Sequence, residues 1–176
     1  MEEIRDLVLL KGIISEDFVN YRKVCMTLEF PVCDFKCCRE CGRSICQNLP
    51  IVDYPDIKIR VSDIIERYLN NDITESLCFQ GLEPLDSFDE CVSLIKSLRC
   101  SNNPKRDDDV VIYTGYTEDE VRAKGYYDIL KEYSNGKNII LKVGRFIPDQ
   151  PSRYDDVLGV ILQSDNQYGL MVERFR

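Results

Sequence analysis

The 176-residue sequence contains no histidine. That removes the zinc sites that are completed by imidazole. Long hydrophobic runs are also missing: apolar stretches such as Leu7-Val8-Leu9-Leu10 fall far short of the ~20 residues a membrane span needs. The opening Met1-Glu2-Glu3-Ile4-Arg5 is charged and leads into a strand-like segment, not the apolar core of a signal peptide. A cytoplasmic protein with no membrane contact is expected. Positive charge is scarce, with 23 Lys and Arg against 31 Asp and Glu and a net charge of −8. That balance argues against general affinity for phosphates, and no nucleic-acid partner is expected.

Cysteine, by contrast, is abundant, with nine residues. Cys25, Cys33, Cys37, Cys38, Cys41 and Cys46 crowd one short segment, whereas Cys78, Cys91 and Cys100 are scattered through apolar stretches, where a thiol acts as a small hydrophobe. An odd count without a secretory leader speaks against a disulfide framework and for metal or redox chemistry. Between Arg22 and Cys46 the cations Arg22, Lys23, Lys36, Arg39 and Arg43 outnumber the acids Glu29, Asp34 and Glu40. Cations beside thiols ease their deprotonation. On the residues alone, three readings of this segment stay open. An iron–sulfur cluster uses several thiolates from one compact loop. Zinc would use Cys38-x-x-Cys41 with Cys37 and Cys46, although no second Cys-x-x-Cys pair is present. A redox pair at Cys38 and Cys41 is the third, without a helix clearly opening behind it.

The chain length suits one domain, residues 1–176, with the cysteine loop at 31–50 bounded by Pro31 and Pro50. Strands are predicted at Leu7–Ile14, Val24–Phe30, Leu77–Gln80, Val110–Tyr113, Asn138–Val143 and Gly169–Glu173. Helices are predicted from an N-cap at Ser62 to about Leu69, from Asp86 or Ser87 to Leu98, and from Thr117 to Tyr133 with a break near Gly125. Thr117-x-x-Glu120 reads as a capping box, and the polar run Ser101–Asp109 as a solvated loop. Alternating strands and helices give an α/β fold with right-handed crossovers and a mostly parallel sheet. The chain is too short for a complete barrel of eight units, so a partial (β/α) barrel or an open sheet is expected. The cysteine loop, Gly81-Leu82-Glu83-Pro84 and Tyr113-Thr114-Gly115-Tyr116 each follow a strand, where open α/β sheets build their sites.

Four segments then resemble the radical S-adenosylmethionine enzymes, specifically the short activating proteins of anaerobic ribonucleoside-triphosphate reductase. Cys46-Gln47-Asn48 is similar to the Cys-aromatic-Asn end of that group's cluster loop. Phe79-Gln80-Gly81-Leu82-Glu83-Pro84-Leu85 resembles its Gly-Gly-Glu-Pro motif, with Leu82 in place of the second Gly. Val111-Ile112-Tyr113-Thr114-Gly115-Tyr116-Thr117 and Lys142-Val143-Gly144-Arg145-Phe146-Ile147, with Ser164-Asp165-Asn166-Gln167, resemble its later signatures. The cysteine spacing departs from the group's Cys-x₃-Cys-x₂-Cys: Cys33-x₃-Cys37 is kept, but Glu40 stands where a third cysteine would.

The resemblance implies a radical-enzyme fold of the partial-barrel type and a [4Fe–4S] cluster on Cys33, Cys37 and Cys46, with Cys41 as the alternative third ligand. It further implies S-adenosylmethionine bound near Gly81, Glu83, Pro84, Thr114 and Asn166, with Glu83 accepting from the methionine ammonium. Gly81 would let backbone approach the methionine, Leu82 would point away from it, and Gln167 would help to close the site. Tyr21, Tyr113 and Tyr116 would pack rather than relay radicals. The implied activity is reductive cleavage of S-adenosylmethionine to a 5′-deoxyadenosyl radical. The implied target is a glycine of a partner glycyl radical enzyme, with another peptide or a nucleoside as the alternative target and a non-catalytic zinc-binding module as the alternative class. The implied electron source is a reduced flavodoxin or ferredoxin type donor.

Overall fold

The structure, a computed structural model, describes residues 6–136 and 138–173, so the charged opening residues read above lie outside it. Its centre is a six-stranded sheet in the order β10-β7-β6-β5-β3-β2. The inner strands β3 (Cys25–Phe30), β5 (Ser76–Gly81), β6 (Asp109–Tyr113) and β7 (Ile139–Val143) run parallel. The edges β2 (Gly12–Asp17) and β10 (Tyr168–Met171) are antiparallel. The sheet is open, and no barrel closes among the described residues. This is the mostly parallel α/β architecture that the alternating pattern predicts.

Because β3, β5, β6 and β7 follow one another in a single direction, right-handed crossovers place their helices on one face. These are α2 (Val61–Leu69), α3 (Phe88–Arg99), α4 (Glu118–Ala123) and α5 (Tyr126–Tyr133). Their apolar stripes, for example Ile64, Ile65 and Tyr68 or Cys91, Leu94, Ile95 and Leu98, meet Met26, Leu28, Phe79 and Ile112 of the sheet. A smaller core of Tyr21, Cys25, Cys78, Val111, Ile140, Leu158 and Leu162 fills the opposite face. There the hairpin of β8 (Arg153–Asp155) and β9 (Val160–Leu162) covers the strands. Burial on both faces explains why β3, β5, β6 and β7 read as apolar runs rather than as alternating patterns.

Several predicted boundaries are corrected. Leu7–Ile14 is two strands, not one. β1 (Leu7–Leu10) pairs with β4 (Ile57–Arg60) in a separate small sheet, and the chain turns at Lys11, whose N–H donates to Glu29 O at 2.7 Å. β4, β8 and β9 are too short to show a period. Arg60, not Ser62, is the N-cap of α2. The run Ser101–Asp109 is not simply solvated: Lys105 Nζ donates to Tyr68 O (3.2 Å) and Asn71 O (2.5 Å), docking the turn at Pro104–Asp107. Cys100 is exposed rather than packed, while Cys78 and Cys91 are buried as expected. The Thr117–Glu120 capping box forms, and Gly125, at φ 75°, separates α4 from α5. No helix among the described residues is long and apolar enough to cross a membrane.

Candidate metal centre

The C-terminal ends of the four parallel strands open into one cleft of about 380 Å³, a size ordinary for small-ligand sites. Cys33, Cys37 and Cys46 line it, together with Gly81 and Glu83 after β5, Thr114 and Gly115 after β6, and Gly144 and Arg145 after β7. Cys38 and Cys41 are not on its wall.

The cysteine loop is not plain coil. A short helix, α1 (Lys36–Cys41), forms within it and ends at Gly42, and a 3-10 turn follows at Leu49–Asp53. α1 buries none of its residues, so side-chain and backbone ties locate the loop instead. Glu83 N donates to Val32 O (2.8 Å) and Asp34 N to Asp86 Oδ2 (3.2 Å). Lys36 Nζ donates to Glu120 Oε1 (2.7 Å) and Asn48 Nδ2 to Gly81 O (2.6 Å). Phe35, between the first two cysteines, is held in the left-handed region at φ 54°. Strained backbone of this kind gathers at functional sites. Its N–H donates to Cys33 Sγ at 3.2 Å.

Burial pushes the Cys33 thiol up to about 12 and the Cys37 thiol up to about 11, and raises Cys46 as well. Lys36 and Arg39 do not serve the cleft thiols: their charges are taken by Glu120 and Glu40, and by Asp34. Arg43 lies against the Cys41 thiol, off the cleft wall, and reaches Asp149 as well. A metal is then the partner able to displace these protons. Among the described residues the one compact set of three ligating side chains is Cys33, Asp34 and Asp86, so no three thiols gather around the position of a single ion. That fits poorly with a tetrahedral Cys₄ zinc site. A cubane takes each thiolate on a separate iron, and three thiols spaced around one cleft mouth, with a backbone N–H on one sulfur, suit it better.

Gly81, on the cleft wall, has a reason for being glycine within the chain itself. At φ 102°, an added Cβ would lie 2.6 Å from Phe30 N and 2.8 Å from Phe30 O, so the residue permits β5 to pass its neighbour β3. Glu83 is 7 % exposed. Its Oε1 accepts from Leu85 N (3.0 Å) and its Oε2 from Gly115 N (2.8 Å), and burial raises its carboxyl to about 7. Pro84 is buried behind the wall and opens the 3-10 turn Pro84–Ser87. Leu82 is also among the residues that line the cleft. Thr114 is buried on the wall, and its Oγ1 accepts from Tyr116 N at 3.0 Å. Asn166 is not on the wall: its Nδ2 donates to Arg145 O (2.8 Å), and its buried Oδ1 has no partner. Its neighbour Gln167 takes that place, with Nε2 donating to Gly144 O at 3.2 Å. Tyr21 and Tyr116 spend their hydroxyls on Asp109 (2.9 Å) and Asp86 (2.6 Å), and Tyr113 on Asn20 O (2.6 Å).

Two residues of the site were not singled out from the sequence. Lys142 sits in the fully buried strand β7, 8 % exposed, and lines the cleft. Its Nζ donates only to Thr114 O (3.3 Å) and Gly144 O (3.0 Å), and burial lowers it to about 8. A lysine inside the apolar run Ile139-Ile140-Leu141-Lys142-Val143 is the signal that could have found it. Glu120 joins three loops: besides Lys36 it takes Arg145 Nη1 (2.7 Å) and Nη2 (3.1 Å), and Arg145 together with Lys36 lowers its carboxyl to about 2.

A family model described as a 4Fe-4S single cluster domain matches residues 23–164. That span runs from just before β3 through the cleft hairpin and contains every residue of the cleft named above except Gln167. No curated protein and no solved structure matches the chain.

Proposed function

The chain belongs to the 4Fe-4S single cluster domain family, and from that premise we propose that it holds a [4Fe–4S] cluster on Cys33, Cys37 and Cys46 and cleaves S-adenosylmethionine reductively. The observation that carries this reading is the sorting of the cysteines: these three line the cleft together with the strand-end segments, while Cys38 and Cys41 do not. A bound cluster of this type supplies one electron at low potential and an iron with an open position.

The chain's own residues then do the rest. Glu83 and Lys142, a buried acid and a buried base on the same wall with no ion pair between them, offer counter-charges for the ammonium and carboxylate of the methionine end. Gly115 N–H holds Glu83 in place from the β6 side. The buried strand ends keep water from the reacting bond. At the mouth, Val19 (75 % exposed) and Ile161 (63 % exposed) present apolar surface that a partner protein would cover. That supports a protein target, a glycine of a glycyl radical enzyme, with a reduced flavodoxin or ferredoxin type carrier as donor.

The test is anaerobic reconstitution with iron and sulfide, followed by electron paramagnetic resonance of the reduced protein with and without S-adenosylmethionine. A [4Fe–4S]⁺ signal that changes on adding the cofactor, and disappears in Cys33→Ala, is the expected result. Stoichiometric zinc with no cluster would sink it.

A further inference from the structure

Lys36 is the residue immediately before Cys37, yet nothing about α1 itself fixes it. The helix has no buried residue, no side-chain cap and no acid in its first turn. Glu40, the other carboxylate near Lys36 Nζ at 3.6 Å, rides on the same helix and cannot tie it to the body. Glu120 can. It lies in α4, where its Oε2 accepts from Thr117 N (2.9 Å) and its own N–H donates to Thr117 Oγ1 (3.2 Å). Arg145, only 14 % exposed along its side chain, grips both carboxylate oxygens. One carboxylate thus joins the segments that follow β3, β6 and β7.

We infer that Glu120 is a positioning residue of the metal centre: anchored by Arg145 and the α4 cap, it holds Lys36 and thereby sets where Cys37 stands on the cleft wall. The inference takes Cys37 as a cluster ligand from the reading above, but its first test does not need the cluster.

Glutamine at this position keeps the capping box, since Gln serves there as well as Glu, while it removes the charge and turns the oxygen that accepts from Lys36 into an amide donor. Hydrogen exchange of the full metal-free chain should therefore quicken roughly two- to fivefold across residues 33–46 in Glu120→Gln, with 118–133 unchanged, and similarly in Lys36→Met, the scale for a partly exposed charge-assisted tie. Glu40→Gln should leave both regions as they are. After cluster loading, Glu120→Gln should lose iron to a chelator ~10–100-fold faster, the usual scale for a support behind a ligand. Its reduced spectrum should broaden, and Glu120→Asp should restore both in part. Faster exchange confined to α4, or none in either Glu120→Gln or Lys36→Met, would overturn the inference. A wild-type chain that takes up no cluster would defeat the functional reading instead, with the exchange result still deciding this one.

Discussion

The cysteine loop has two parts built on different terms. Its ends, Cys33–Cys37 and Cys46–Asn48, are tied to the strand termini by Glu83, Asp86, Glu120 and Gly81. Its middle, from Cys38 to Ile45, has no such anchorage. Arg39 meets Asp34 of the same loop, and Arg43 meets an Asp149 whose side chain is 89 % exposed. Exposed pairs of that kind contribute little. The lesson is that added residues can bulge outward without moving the ends, because closing a longer loop costs only slowly more. The three thiols at its ends accordingly share one cleft, whatever the length of the middle.

The sharpest way to break this comparison is to remove thiols one at a time. Cys33→Ala, Cys37→Ala and Cys46→Ala should each abolish the brown absorbance and the acid-labile sulfide of the reconstituted protein. Cys38→Ala and Cys41→Ala should leave both near wild type, and their stability should stay within about 0.5 kcal/mol, as for surface changes generally. Loss of the cluster in Cys41→Ala with retention in Cys46→Ala would reverse the roles of the two parts.

Next in size is Gly81→Ala, which attacks the surface on which the tethered end rests. The methyl group would press on the Phe30 backbone at 2.6 Å, at a φ of 102°. Strain at positive φ and overpacking each cost roughly 1–3 kcal/mol. Urea unfolding of the metal-free chain should show a midpoint lowered accordingly, with no ligand needed to see it. An unchanged midpoint would return Gly81 to a purely ligand-facing role.

How far the sequence reached follows from the same division. The parallel strands were legible because burial on both faces makes them apolar runs such as Val110-Val111-Ile112-Tyr113, and Thr117-x-x-Glu120 capped its helix as written. Cys33 and Cys37 were chosen by resemblance through their spacing and Cys46 through Gln47-Asn48, and in the structure Asn48 clamps Gly81 O. What local pattern could not convey is long-range pairing. β1 and β2 look like one strand until β4 claims the first. Asn166 and Gln167 are neighbours in sequence, and only their distant partners separate them: Asn166 bonds Arg145 O, while Gln167 bonds Gly144 O on the cleft wall. Lys142 was readable as a charge in a buried strand, whereas Glu120 was visible only as a cap.

A smaller effect tests the far tether. Asn48→Ala removes the 2.6 Å bond to Gly81 O and leaves that carbonyl part-buried. Its cost should be ~1–2 kcal/mol, the range for a lost hydrogen bond with an abandoned acceptor. The loss should appear as faster exchange of residues 46–53 with little change at 33–37. If both ends loosen together, the loop is one cooperative unit and not two separately held ends.

The smallest expected effect is also the most specific, because it reads the charge that ties Lys36 down. Glu120 titrates at about 2 in the folded chain against an ordinary 4.5. The folded state therefore binds fewer protons than the unfolded state between those values, and stability from this group falls as pH falls. Its contribution is complete above about pH 4.5 and gone once the pH has passed below about 2. The difference in unfolding free energy between wild type and Glu120→Gln should then be flat from pH 7 to 5 and shrink towards zero as acid is added. Since the carboxylate is partly exposed, screening keeps the plateau at about 1 kcal/mol or less, and added salt should lower it at neutral pH. A difference that persists undiminished at pH 2 would mean that shape and hydrogen bonding, not charge, hold the inner end of the loop.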